Sequence, residues 1–297
     1  MTIRLAMEFS IIVPTRDRPG ALLDCLKAME QLDFSRGAFE IIFVDDGSLS
    51  LLSPIVESFR DSLQLRFFRQ ANAGPAAARN FGARQALGNY FVFTDDDCWP
   101  ASDWLKSLSV RINLSPGSAI GGRRSNALDN NIFSEASETI SEVACAYFNA
   151  SSDQAGFIST SNLSIPADRF WEIGGFDESF RTAEDRDFGQ RWKEYGYPII
   201  YAPEVVVYHS HSLTFATLLK RYFNIGRGAR QFVHASSKRG QPGLRPDLFF
   251  YKELLCYPLS KRAGWNPVLL SGLIGLAQAA NATGYLWETV KDLISDA

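Results

Sequence analysis

A chain of 297 residues is long enough for two domains of ordinary size or for one large α/β domain. Its 46% hydrophobic and 21% charged residues exclude a disordered, collagen-like or coiled-coil protein. The formal net charge of −3 argues against a nucleic-acid partner, yet it averages two unlike regions. Residues 213–262 carry ten Lys/Arg against Asp247 and Glu253, a net +8, which leaves 20 basic and 31 acidic residues elsewhere.

In chain order, the first third alternates two patterns. FSIIVP (9–14), FEIIFV (39–44), LQLRFF (63–68) and NYFVFT (89–94) are short apolar runs bounded by turn residues, the signature of strands covered on both faces. Between them, residues 20–31, 50–61 and 75–87 have apolar positions at helical spacing. Strand–helix alternation of this kind predicts an α/β fold with a mostly parallel sheet and right-handed crossovers. Further on, the patterns predict a short strand near 118–122, a helix over 129–146 and a strand running into a helix start over 157–166. A turn at 174–177, a helix over 184–195 and one or two strands over 198–209 follow. From 213 onward only helix-like segments remain. Three regions are expected: 1–125, 126–212 and a basic helical region, 213–297.

Cys25, Cys98, Cys145 and Cys256 are far apart, as in a reducing compartment, and MTIRLAMEFSIIVP has no secretory leader pattern, so a cytoplasmic protein is expected. The Asn-x-Ser/Thr triplets at Asn113, Asn149, Asn162 and Asn281 therefore carry little weight. Residues 263–287 contain no charge, but Asn266, Pro267, Ser271, Gln278 and Asn281 suit a buried or interfacial helix better than a membrane span.

In an open parallel sheet ligands bind beyond the carboxyl ends of the strands. There the first strand runs into Pro14-Thr15-Arg16-Asp17-Arg18, the second into Asp45-Asp46-Gly47-Ser48 and the fourth into Asp95-Asp96-Asp97-Cys98. Aspartate is common in turns, but two clusters of carboxylates on one edge repel unless a cation neutralises them. Carboxylates suit Mg²⁺ or Mn²⁺, and such ions commonly also bind substrate phosphates. Arg16 and Arg79 add positive charge at that edge, and the helix begun by Gly74-Pro75 can turn its N-terminal amides to an anion. An anionic, phosphorylated substrate is the expectation.

Pro14-Thr15-Arg16, Val44-Asp45-Asp46-Gly47-Ser48, Asn72-x-Gly74 with Arg79-Asn80-x-Gly82, and Phe93-Thr94-Asp95-Asp96-Asp97 occur in order at family spacings. Over 9–212 the chain resembles the family 2 glycosyltransferases of GT-A fold, which take a sugar from a nucleotide-diphosphate donor. The resemblance implies that Thr15 and Arg16, after Pro14, lie near the nucleotide. Asp45 or Asp46 contacts the base, and Asp95 and Asp97 hold Mg²⁺ or Mn²⁺. Arg79 and Asp96 complete the donor-side candidates. Ser161–Ser164, Gly174–Glu178 and Glu184-Asp185-Arg186-Asp187 match the acceptor side, with Asp185 as catalytic base and Glu184 second choice. Acids also favour a first helical turn, so Thr182 is read as that helix's cap while Asp185 acts. The implied chemistry is inverting transfer: the acceptor oxygen attacks the anomeric carbon opposite the leaving diphosphate.

His209, with His211 nearby, is a further metal-ligand candidate. Trp99, Trp171 and Phe176 lie beside the motifs and are candidates to stack on a sugar, against the commoner reading of core aromatics. The basic region 213–262 is read either as a solvated helix face or as a surface for an anionic membrane or a phosphate-bearing acceptor, placing the protein on the inner face of the plasma membrane. A glycan or lipid-linked acceptor fits that reading, and no nucleic-acid motif accompanies the charge. The competing functions are a nucleotidyltransferase, which also joins carboxylates and a metal to an α/β sheet, and an inactive sugar- or lipid-binding scaffold. The loop ProThrArgAspArgProGly lacks the Gly-rich, Lys-bearing signature that would favour the first.

Overall fold

The computed structural model describes residues 7–149, 156, 158–241, 247–260 and 264–295. In the first half the elements are β1 (Phe9–Thr15), α1 (Pro19–Glu30), β2 (Phe39–Asp45), α2 (Ser53–Glu57), β3 (Leu65–Arg69), α3 (Pro75–Gln85), β4 (Tyr90–Thr94), β5 (Cys98–Pro100) and α4 (Trp104–Leu114). They continue with β6 (Ala119–Asn126), α5 (Ile132–Phe148), β7 (Asn162–Pro166), α6 (Ala167–Glu172), α7 (Glu184–Glu194) and β8 (Ile199–His209). Three helices close the chain: α8 (Phe215–Lys238), α9 (Leu248–Ser260) and α10 (Pro267–Ser295).

All eight strands join one sheet in the order β3-β2-β1-β4-β7-β6-β8-β5. The β3-β2-β1-β4 half is parallel, as the alternation predicts, while β4 meets β7, β7 meets β6 and β8 meets β5 antiparallel. Side-chain alternation along β1 shows how the sheet is covered. Phe9, Ile11 and Val13 enter a core with α1, α2 and α4, whereas Ile12 enters a core with α3, α6 and α7. A third core joins α5 to α8, α9 and α10.

Several boundaries differ from the sequence reading for local reasons. The helix expected over 50–61 is only Ser53–Glu57, because Ser58 and Ser62 bond back to the carbonyls of Ile55 and Phe59 and the chain turns into β3. The strand expected over 157–166 is confined to Asn162–Pro166, and residue 157 lies outside the described residues. β6 runs on to Asn126, and 198–209 forms one strand with a bulge. There Gly122 pairs Ala202 but Arg123 pairs Val206, so β8 bulges around Pro203, which has no amide to donate. Asn162 fills the bulge, its Nδ2 donating to the carbonyls of Arg123 and Val205.

α8 and α10 pack closely. A Cβ on Gly226 would collide with the Asn281 carbonyl, and one on Gly284 with the Phe223 carbonyl. Gly284→Ala is therefore expected to cost about 1–3 kcal/mol by forcing the helices apart. Urea unfolding followed by far-UV circular dichroism measures it; a change within error would show that the helices can separate freely.

Candidate active site

The carboxyl ends of β1, β2 and β4 meet, as the topology requires, and their polar residues are interlocked. Thr15 Oγ1 donates to Asp96 at 2.7 Å, and the Arg18 guanidinium forks across Asp96 (2.5 Å) and Asp97 (2.7 Å). Arg18, 44% exposed, therefore holds the position for which the sequence suggested Arg16, whose side chain turns outward to Asp17. Burial pushes the Asp96 carboxyl up to about 7, against the pull of Arg18.

Asp97 is also buried, but hydrogen bonds from His209 and His211 hold it well below the ordinary carboxylate range. His211 Nδ1 lies 2.9 Å from Asp97 Oδ2, and His209 Nε2 lies 3.5 Å from Oδ1. His209 Nδ1 is 2.5 Å from Glu138 of α5, which in turn pairs with Arg124 at 2.9 Å. A carboxylate behind an imidazole whose other nitrogen faces the candidate metal side is a common outer-shell arrangement for a ligating histidine. Among the described residues, donor atoms of Asp97, Cys98 and His209 lie within 4.8 Å of one another. Burial raises the Cys98 thiol well above its ordinary range, leaving the hard carboxylate of Asp97 and the borderline imidazole of His209 as donors, a set compatible with a divalent cation such as Mn²⁺. Glu138 and Arg124 carry no local motif and are found only by the fold.

Asp45 and Asp46 are separated by their partners. Asp46 accepts four hydrogen bonds, from Gln70 Nε2, Asn72 Nδ2 and the amides of Ala73 and Gly74. It therefore organises the turn into α3, taking the amides of Ala73 and Gly74 just ahead of that helix. Asp45 Oδ1 accepts the Ser48 amide at 2.8 Å, while Oδ2 accepts no hydrogen bond among the described residues and faces Arg69 Nε at 3.5 Å.

Arg79 joins the two halves of the site. It projects from the second turn of α3, is 3% exposed, and donates from Nη2 to Asp95 and from Nη1 to Glu184, at 2.7 and 2.8 Å. The neighbouring Asn80 pins the 176–178 turn, donating to the Phe176 carbonyl and accepting its amide. Burial, opposed by Arg79 and reinforced by the charge of Asp185, pushes Glu184 up to about 7; Asp185 is raised as well, chiefly by burial.

Both acids open α7, but Thr182 does not cap it. The N-cap position is Ala183, with φ +71°, and Thr182 Oγ1 instead donates to the Asn224 carbonyl of α8. A Cβ on Gly228 would collide with that same hydroxyl. Arg239–Asp187 and Ser236–Gln190 contacts extend the α7–α8 seam. The acids are thus held from behind by the C-terminal helix as well as by Arg79.

The aromatic candidates part company. Phe176 is buried against Phe93, Phe170 and Phe188 and is a core residue. Trp171, 40% exposed, borders a groove with Arg84, Leu87 and Gly88, at the end of β4 away from the carboxylates. Trp99 follows the acidic turn on β5, and its buried Nε1 has no hydrogen-bond partner. In the basic region Arg227, Arg230 and Arg239 pair with Glu288, Asp292 and Asp187, Lys220, Lys238 and Lys252 are exposed, and Arg245, Lys261 and Arg262 lie outside the described residues.

Residues 10–165 match the model of glycosyl transferase family 2, and residues 115–261 match glycosyl transferase family group 2. The chain is 26% identical over 225 residues to glycosyltransferase AglE of Haloferax volcanii, a match covering 75% of this chain and 73% of that protein. It is 32% identical over 109 residues to the poly(ribitol-phosphate) beta-N-acetylglucosaminyltransferase TarS of Staphylococcus aureus, covering 36% of this chain and 19% of that protein. In fold it is similar to mannosyltransferase PcManGT of Pyrobaculum calidifontis, solved in complex with GDP-Man and Mn²⁺, with a TM-score of 0.65 and 18% identity over 95% of this chain and 83% of that one. Residues 1–349 of TarS give a TM-score of 0.58 and 19% identity over 98% and 92% of the two chains. At these identities the likeness to the solved structures is one of fold, the GT-A type.

Removing the buried guanidinium that compensates the buried Glu184 and the partly exposed Asp95 is costly. Arg79→Met is expected to lose about 3–5 kcal/mol of stability. Urea denaturation measures it, and a loss below about 1 kcal/mol would mean that Asp95 and Glu184 do not depend on Arg79.

Proposed function

Starting from the fact that the chain belongs to glycosyl transferase family 2, we propose that it moves a sugar, with inversion, from a nucleotide-diphosphate donor to a hydroxyl of a glycan or lipid-linked acceptor. The observation that carries the reading is Arg79, whose one guanidinium binds the donor-side Asp95 and the acceptor-side Glu184. Leaving group and nucleophile are then served by groups within one side chain's reach.

On this reading Asp45, with an oxygen that accepts no hydrogen bond, takes the base, while Asp46 shapes the loop that frames it. Pro14 and Thr15 line the nucleotide side, Thr15 also holds Asp96, and Arg16 turns outward to Asp17. A divalent cation, held by Asp97 with Asp95 and His209, would neutralise charge developing on the diphosphate. Arg18, forked across Asp96 and Asp97, is exposed enough to turn toward the same phosphates. Asp185, next to Glu184 at the start of α7, accepts the proton of the attacking hydroxyl. Burial raises both acids and so makes the ionised base a stronger proton acceptor, at the cost of a lower ionised fraction in acid.

Screening UDP-, GDP- and dTDP-sugars for turnover with Mn²⁺ or Mg²⁺ tests the reading directly. Turnover of one donor, lost on chelation, is expected; no binding or turnover of any donor would refute it. Asp185→Asn is expected to lower kcat by ~10²–10⁴ with thermal stability retained. Full acceptor transfer by that variant would remove Asp185 as the base. Because the base acts only when ionised, kcat/KM is expected to fall as pH drops, with its acid limb displaced toward neutrality from the ordinary carboxylate value of about 4. A limb at the ordinary value would show that burial does not tune this pair in the working enzyme.

A further inference from the structure

Thirteen of the 23 large hydrophobic side chains exposed among the described residues fall within 248–294, a concentration that isolated surface residues do not produce. α10 accounts for most of it. Over 267–287 it has no charged residue, and it is apolar on both sides. Its inner side, with Leu270, Leu273, Ile274 and Ala277, packs in the third core. Its outer side carries Val268, Leu276, Leu286, Val290 and Leu293, all about half exposed or more, within one helical stripe. A helix apolar all round is buried against something on both sides, and here the protein covers one. No described helix is long and apolar enough to cross a membrane, so an arrangement parallel to a surface remains.

The charges choose the occupant. Both acids of α10 are turned inward: Glu288 pairs with Arg227 and Asp292 with Arg230 of α8. The one lysine, Lys291, is exposed a turn beyond Trp287, itself 61% exposed. On α9 the exposed Lys252 lies in a row with Leu248, Leu255 and Leu259 at i, i+4, i+7 and i+11. Asp247 is tied to Tyr147, and the exposed Glu253 also lies near that tyrosine. Lysines at the border of an apolar row, a tryptophan beside them and acids withdrawn to the opposite side complement an anionic bilayer surface, where lysine stems lie along apolar area and their heads reach phosphates.

We propose that the outer face of α10, assisted by the Leu248–Leu259 row of α9, docks this protein in plane on an anionic phospholipid surface. The attraction resides in this apolar face rather than in the basic residues of α8, of which Arg227 and Arg230 are held in ion pairs with α10. Docking is independent of the transferase reading, since the chain can bind vesicles without turning over a donor, and the reverse.

The test is flotation of the full chain with phosphatidylglycerol–phosphatidylcholine vesicles, with and without salt, beside light scattering of the protein alone. The chain is expected to float, and brominated acyl chains are expected to quench its tryptophan emission, a signal reduced in Trp287→Phe. Leu286→Glu/Val290→Glu/Leu293→Glu is expected to stay in the soluble fraction with its thermal midpoint unchanged. Lys252→Gln and Lys291→Gln should each weaken binding about fivefold. A chain that stays soluble at low salt overturns the proposal. So does a dimer that ignores vesicles and is dissociated by the triple substitution, which would make the face a contact between copies. If the triple variant fails to fold, quenching in the unsubstituted chain still decides, because a Trp287 that lipid never reaches refutes docking.

Discussion

One buried guanidinium sets the terms for the rest of the molecule. Arg79 leaves α3 on one side of the sheet and binds Asp95, at the end of β4, and Glu184, at the start of α7. A cation cannot be withdrawn from water without compensation, and two carboxylates held apart by sequence supply it. Once that triad forms, the β4 turn and the α7 terminus have fixed relative positions. Asn80, the next residue, adds a second fastening by exchanging hydrogen bonds with Phe176. The candidate donor-side and acceptor-side acids are thereby presented to one space even though they lie far apart in the sequence.

The same economy recurs around it. Asp46 spends its oxygens on the turn into α3, Glu138 and Arg124 stand behind His209, and Asp187 ties α7 to α8 through Arg239. Many charges that look functional in one dimension are therefore scaffolding in three. Their work is to hold a smaller set of candidate site residues, Asp45, Asp95, Asp97, Glu184 and Asp185, in defined orientations. The electrostatic consequence is a clustered site in which burial raises Asp96, Glu184 and Asp185 while histidine donors lower Asp97. Neighbouring carboxylates of identical chemistry thus differ in proton affinity, which is what a site needs if some are to hold a cation and another a proton.

The C-terminal helices extend this logic outward. Gly226 and Gly284 let α8 and α10 approach until their backbones touch, and Gly228 lets α8 reach Thr182, two residues before the candidate acids. α10 thus touches α8, and α8 touches the segment that presents Glu184 and Asp185. The near-neutral total charge of −3 conceals how the chain uses its ions: acids gather at the sheet edge, and arginines of the basic region bolt helices together.

Local chemistry determined much of this protein. Short continuous apolar runs and helical patterning specified β1 to β4 and the helices between them. Strand-end motifs specified which edge is polar, because ψ/φ preference, turn chemistry and apolar periodicity act over a few residues. What only the tertiary structure decided is which like residue serves which end. Arg18 rather than Arg16 reaches the acidic turn, Asp46 rather than Asp45 saturates with amides, and Thr182 bonds to α8 instead of capping α7. Phe176 is core, while Trp171 lies away from the carboxylates. Those outcomes depend on partners 20 to more than 100 residues away, such as Glu184 for Arg79 and Asp97 for His211. Neighbours in sequence carry the same chemistry, but only long-range packing gives each a different environment.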